Sequence, residues 1–599
     1  MKCKVSTGTK VGKLAAIGFA SALVACGGGG SQVQEGESAS RSQAQGLRAT
    51  GLIVGKNDRP ATRAEAHRFL MQATFGPTED DINAVMNLGY REWIQSQWTA
   101  PVSSHLANFD AADAYVKSKN PTEGAYVQDV SSSFYKVALT GKDQLRQRTA
   151  YALSQIFVVS TQNDGIKFYP RTAAAYYDVL AKHVTLQYRG LLEQVTLSPA
   201  MGLYLSSMQS LKEDATTGRI PDENYAREIM QLFSIGLHKL NPDGTLQLSN
   251  GQPIPTYGPD DISGLAKVFT GWSWGGSDTQ TGRFWGWCPE FCSAERLVQP
   301  MRGYPSFHSS EEKRFLGAVV PRQMVPNPHA SLKVALDTLA AHPNVAPFIS
   351  RQLIQRMVKS NPSPAYVARV AQAFGPSGDI KAAVTAVLLD AEARDMTQAA
   401  AADAGKVQEP VLRLTQLLRS QGASSDSGMW LVGMTDDPAS ELGQSPLSSP
   451  SVFNFFRPGY VPTSGEAAAR GMTVPELQTV HETTVAGYTQ YMLDGLSHGI
   501  GMYGRHWDAP RRDIQFNISA EMALAHQPAA LVKRVTTRLL GGRSNPALES
   551  EIQAAVRSVH LDALRADGSN AQQVNEQKRN RALLTLFLTT VSPEYTVLK

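Results

Sequence analysis

Four side chains in this sequence stand where acid/base chemistry is conceivable: Glu228, Arg148, Asp261 and His308. Glu228 belongs to Glu223-Asn224-Tyr225-Ala226-Arg227-Glu228-Ile229-Met230-Gln231-Leu232-Phe233. At about 100° per residue, Tyr225, Ile229, Leu232, Phe233 and Gly236 share one helix face, and Arg227, Gln231 and Ser234 fall opposite. Glu228 lands beside Leu232 and Ile235, at the flank of the apolar face, where a carboxylate is costly unless paired. In the segment 145–159, Arg148 and Gln155 align with Ala152 and Val159 rather than with a solvent face. A buried Arg148–Glu228 contact is therefore expected. It fits two roles: a structural ion pair, or Arg148 orienting Glu228 as a general acid or base with a raised pKa.

Asp260 and Asp261 follow Gly258-Pro259 and open a helix, where acids complement the helix dipole. An acid there, beside an aromatic loop, can also position a substrate hydroxyl or a metal, and Asp261 is the candidate second carboxylate. Paired carboxylates for glycoside hydrolysis stand roughly 5–10 Å apart. The loop places Trp272, Trp274, Trp285 and Trp287, half of the eight tryptophans, within sixteen residues. Indole rings suit the faces of sugars or a partner surface; a mini-core sealed by a disulfide is the alternative. His308 follows and is the candidate proton shuttle. No zinc-protease, serine-hydrolase, P-loop or dinucleotide motif is present. No metal site is indicated, and the sequence names no cofactor.

The elements that must position these residues are helical. Apolar spacing of three and four runs through 64–73, 79–88, 90–98, 143–160, 174–183 and 223–237, and again through 330–341, 346–359, 410–420, 474–493, 529–540 and 572–590. Alternating patterns are nearly absent, with 316–320 the best short strand. A small hairpin is expected around Asp243-Gly244. The fold class is mostly α: a multi-helix globular body over 60–599 with long irregular aromatic and Gly/Ser-rich loops (271–315 and about 421–465) and little β. Its length allows two lobes, about 60–325 and 326–599.

The first 25 residues carry four lysines, no acid and an apolar run from Leu14 to Ala25 that is too short to span a bilayer. This is a secretory signal. Cys26 directly after it is the expected lipidation site, and Gly27 in place of an Asp favours the outer membrane, on its periplasmic or cell-surface face. Residues 26–59 read as a flexible tether. Without the signal the formal charge falls from +4 to zero, which gives no electrostatic case for nucleic acid. Cys288 and Cys292, four apart in an exported chain, are expected to form a local disulfide.

Several segments also resemble an exported bacterial family, domain of unknown function 1800. They include Arg68-Phe69-Leu70-Met71-Gln72-Ala73-Thr74-Phe75-Gly76, Asn224-Tyr225-Ala226-Arg227-Glu228, Phe269-Thr270-Gly271-Trp272 and Pro450-Ser451-Val452-Phe453-Asn454-Phe455-Phe456. The resemblance implies a helical exported protein whose gene neighbours a secreted sulfatase- or phosphatase-like protein. Relatives often carry Trp-His-x-His-Phe where this chain has Leu153-Ser154-Gln155-Ile156-Phe157, so any metal site there loses its histidines. The combined expectation is an outer-membrane lipoprotein acting on or binding extracellular polysaccharide. The alternative is a non-catalytic assembly component that docks a secreted sulfatase/phosphatase-like partner through its tryptophans.

Overall fold

The computed structural model describes residues 58–287, 294–399, 401 and 404–599. The signal, Cys26, most of the tether and the Cys288–Cys292 pair lie outside the described residues. Among the described residues there are 27 α-helices, and the sheets are five two-stranded ribbons. No helix of the described residues is long and apolar enough to cross a membrane.

The first helices form where expected, for local reasons. Thr62 caps Arg63–Ala73 by accepting the Glu65 amide. Thr78 and Asp81 form a reciprocal capping box at Glu79–Leu88, and Gly89 at φ +88° ends that helix before Tyr90–Thr99 begins. Two helices, His105–Lys119 and Val127–Thr140, have only a faint sequence signal. Their inward positions include His105, Ala112, Ser131, Ser132 and Ser133, so small and polar residues occupy the buried stripe.

At the centre lies Gln144–Ser154, every residue of which is buried although much of it is polar. Each long polar side chain reaches a main-chain acceptor. Arg146 donates to the carbonyl of Trp98 (2.6 Å), Gln147 to that of Ser103 (3.1 Å) and Gln144 to that of Gly141 (2.8 Å). The helix is shorter than the expected 143–160 because Gln155 closes it and the chain turns through Ile156 and Phe157. One continuous apolar core runs around it, from Ala66 to Tyr595.

The described part of the aromatic stretch, 271–287 and 294–315, holds short regular elements between irregular turns. Trp272–Ser273 pairs antiparallel with Arg302–Gly303, and Thr281–Trp285 is helical. The expected strand at 316–320 is half of a hairpin: Lys313–Phe315 pairs with Ala318–Val320, and Leu316 and Gly317 turn at positive φ. Leu240 bridges Leu246 around Asp243-Gly244, as the turn residues require.

The helix Pro259–Ala266 lies directly on the 313–320 hairpin. A Cβ at Gly264 would fall inside the contact shell of the Arg314 carbonyl, a main-chain atom that cannot rotate away. Gly264→Ala is therefore expected to cost at least about 1–3 kcal/mol. A thermal melt of the variant checks this; an unchanged melting temperature would refute the packing.

Candidate functional site

The helices Asn224–Glu228 and Pro259–Ala266, which carry Glu228 and Asp261, pack against each other. The expected Arg148–Glu228 contact is absent. Arg148 Nη2 donates to the Arg356 carbonyl (2.7 Å), and its guanidinium lies 5.6 Å from the Tyr151 ring centroid. Glu228 is 8% exposed, and its Oε2 has no hydrogen-bond partner. Burial raises its pKa, with only Arg227 opposing. The helix that carries Glu228 is not regular beyond it. Asn224–Glu228 is α-helical, but Ile229–Ser234 is a π turn, with the Ile235 amide reaching the Met230 carbonyl at 3.0 Å. The wider turn shifts the phase of the side chains from Ile229 onward. Ser234, expected on the polar face, is buried and donates to the Ile229 carbonyl, whereas Leu232 is only half-buried.

Asp261 has both oxygens occupied by main-chain amides. Oδ2 accepts from Gly258 (2.8 Å) and Oδ1 from Leu316 (2.7 Å), so it caps the helix and fastens the hairpin. His308 is buried. Its Nδ1 lies 2.8 Å from the Thr270 carbonyl and its Nε2 3.0 Å from Ser331 Oγ. Burial lowers its pKa to about 4, so it is neutral at physiological pH and sealed from solvent. Trp272 and Trp274 are 2% and 5% exposed and pack against His329 and Tyr169. Trp285 meets Phe284 and Phe307 edge-on. Trp287 alone of the four is exposed, at 61%.

Arg148 instead faces Glu409, which sequence reasoning did not single out. Glu409 Oε2 accepts from Tyr151 Oη (2.7 Å), Gln444 Nε2 (2.8 Å) and Gln155 Nε2. Lys406 Nζ stands 3.9 Å from Oε1 and 2.9 Å from Glu476. Burial alone would raise the pKa of Glu409. Lys406, the Tyr151 bond, Arg148 and the Gln444 bond together hold it below its ordinary value. Glu476 goes the other way, since burial outweighs Lys406. In the sequence Glu409 is an acid before Pro410 at a helix start, a pattern that reads as dipole complementation.

Beside this network opens a cavity of about 700 Å³. One side of the helix Val345–Met357 forms its main wall through Phe348, Arg351, Gln352, Gln355 and Arg356. The π turn contributes Gln231 and Leu232. The segment 452–461 contributes Phe453, Arg457 and Tyr460, and Gln155 and Ile156 line it as well. Two of these amides are poised rather than satisfied, because Gln155 Oε1 and Gln352 Nε2 are buried without partners. The network fixes the cavity lining, since Arg356 Nη2 donates to the Gln155 carbonyl (3.0 Å) while Gln155 bonds Glu409. Arrangements of this volume with a few convergent polar groups bind small ligands or polymer segments. A sequence signal existed in the pairs of polar residues 351–352 and 355–356, one helical turn apart beside the apolar Ile349 and Leu353.

Two substitutions should have opposite pH signatures. Glu228→Gln is expected to raise the melting temperature at neutral pH. The folded carboxyl has a raised pKa, so wild-type stability is lost as pH rises through it, and the gain should vanish below about 4.5. Glu409→Gln should cost about 3–5 kcal/mol at neutral pH by leaving Arg148 without a counter-charge and Lys406 with Glu476 alone. That deficit should shrink as pH falls from 4.5 through the depressed pKa of Glu409, where the wild type loses the same charge. Melting curves between pH 3 and 8 test both signs.

A family model described as "Protein of unknown function (DUF1800)" matches residues 68–597. No curated protein and no solved structure matches the chain.

Proposed function

This chain belongs to the DUF1800 family, and on that footing we propose that it is an exported lipoprotein, anchored to the outer membrane through Cys26, that binds extracellular polysaccharide in the cavity along Val345–Met357. The observation that carries this reading is the pair of unpartnered buried amide atoms, Gln155 Oε1 and Gln352 Nε2, on residues lining a 700 Å³ hollow. A buried amide left unpaired costs free energy, and a sugar hydroxyl can donate to one of these atoms and accept from the other. Phe348, Phe453 and Tyr460 add flat aromatic area of the kind that covers sugar rings.

Binding fits the geometry better than turnover. Asp261 is consumed by main-chain amides, His308 is sealed, and Glu228 is not among the cavity residues. Among the described residues no carboxylate is one of the groups that shift the pKa of Glu228, whereas glycoside hydrolysis uses a pair. The alternative of a docking component for a secreted sulfatase/phosphatase-like partner retains one exposed indole, Trp287.

Full-length protein in detergent micelles, titrated against a polysaccharide panel, tests the binding reading. Gln352→Ala and Phe453→Ala should each weaken binding by about tenfold, corresponding to about 1.4 kcal/mol. Trp287→Ala should leave affinity unchanged. If instead Trp287→Ala removes a protein partner and the cavity variants change nothing, docking is the function. For the anchor, Cys26→Ser should abolish metabolic labelling with palmitate and move the protein to the soluble fraction; retention in the membrane fraction would exclude that anchor.

A further inference from the structure

We infer that the cavity selects an anionic saccharide, one carrying carboxylate or sulfate groups, by placing the anionic group against Arg356 between Arg351 and Arg457. This rests on the reading of the cavity as a polysaccharide site and adds the charge of the sugar. Among the described residues that line the cavity, the charged side chains are these three arginines, with no aspartate or glutamate. Arg351 is exposed to solvent at the cavity, and no carboxylate neighbours it. Arg457 holds its guanidinium 4.9 Å from the Phe453 ring centroid, and no ion pair to it is present among the described residues. Arg356 is 2% exposed, and its Nε has no partner.

The same imbalance continues behind the wall. Arg148, Arg356 and Lys406 meet only Glu409 and Glu476, so the buried cluster is one anion short of neutrality. Arg148 Nε and Nη1 are also without partners. A buried guanidinium whose Nε–H has no partner, on a residue lining a cavity with no acid among its described residues, is complementary to a planar carboxylate or a sulfate. Arg favours such groups because its donors form a fork. The glutamine amides alongside would hold the neutral hydroxyls of the same ring.

The test uses full-length lipoprotein in detergent micelles with three polymers: polygalacturonate for carboxylate, dextran sulfate for sulfate, and neutral dextran. Tight binding of either acidic polymer, at least about tenfold stronger than neutral dextran, is expected. It should weaken as NaCl rises from about 50 to about 300 mM. The double variant Arg351→Gln/Arg457→Gln changes two exposed side chains and should keep the wild-type melting temperature while losing at least about tenfold in affinity for the acidic polymer. Arg356→Lys, which keeps the charge and loses the fork, should show a smaller loss. Equal binding of neutral and acidic polymers overturns the charge assignment and leaves the polysaccharide reading intact. Acidic binding that the double variant retains also overturns it, since the contact then lies elsewhere. Binding of free sulfate, with none of the three polymers bound, overturns it in favour of a small inorganic anion. Failure of every polymer in the panel to bind, charged or neutral, overturns both readings.

Discussion

The carboxylate of Glu409 is the constraint on which the centre of this molecule depends. It is wholly buried, so it survives as an anion only because three side-chain donors and two cations surround it. Those partners come from distant parts of the chain: Tyr151 and Gln155 from the central helix and its end, Gln444 from an irregular segment, and Lys406 from just upstream of Glu409 itself. Removing one partner strands the rest, which makes the cluster a lock on relative helix positions. Arg356 and Gln155 belong both to this lock and to the cavity lining. The binding surface is therefore pre-set by groups whose places are fixed for reasons of charge.

Most of the fold was legible in the sequence, and the residues show why. Helices with a strongly apolar stripe, such as Pro410–Ser420, or with side-chain caps, such as Glu79–Leu88, announce themselves locally. His105–Lys119 does not, because its inward face mixes Phe109 and Val116 with His105 and Ala112. The site was far less legible. Polarity on a buried face correctly marked Arg148 as a residue needing a partner, but the partner was Glu409, more than 250 positions away. A periodic reading also assumes 3.6 residues per turn throughout, and the π turn at Ile229–Ser234 breaks that assumption just beside Glu228.

The tryptophans carry a related lesson. Their crowding between 272 and 287 marks packing at Trp272 and Trp274, which are buried, while Trp287 stays exposed. Trp272 and Trp274 serve as core for a segment with few aliphatic residues, and Tyr304 and Phe307 complete that patch. Aromatic density marks a surface for ligands only where rings remain uncovered, as at the cavity edge near Phe453 and Tyr460.

The central helix Gln144–Ser154 has a kinetic consequence. Its arginines and glutamines are satisfied only by carbonyls and carboxylates that other segments deliver. A helix of eleven residues with so little apolar surface of its own has almost no stability in isolation. It must therefore form late and together with its neighbours, and once formed it cannot fray by itself. Its amide protons should exchange with deuterium only through opening of the whole body, making this polar segment the slowest-exchanging part of the chain.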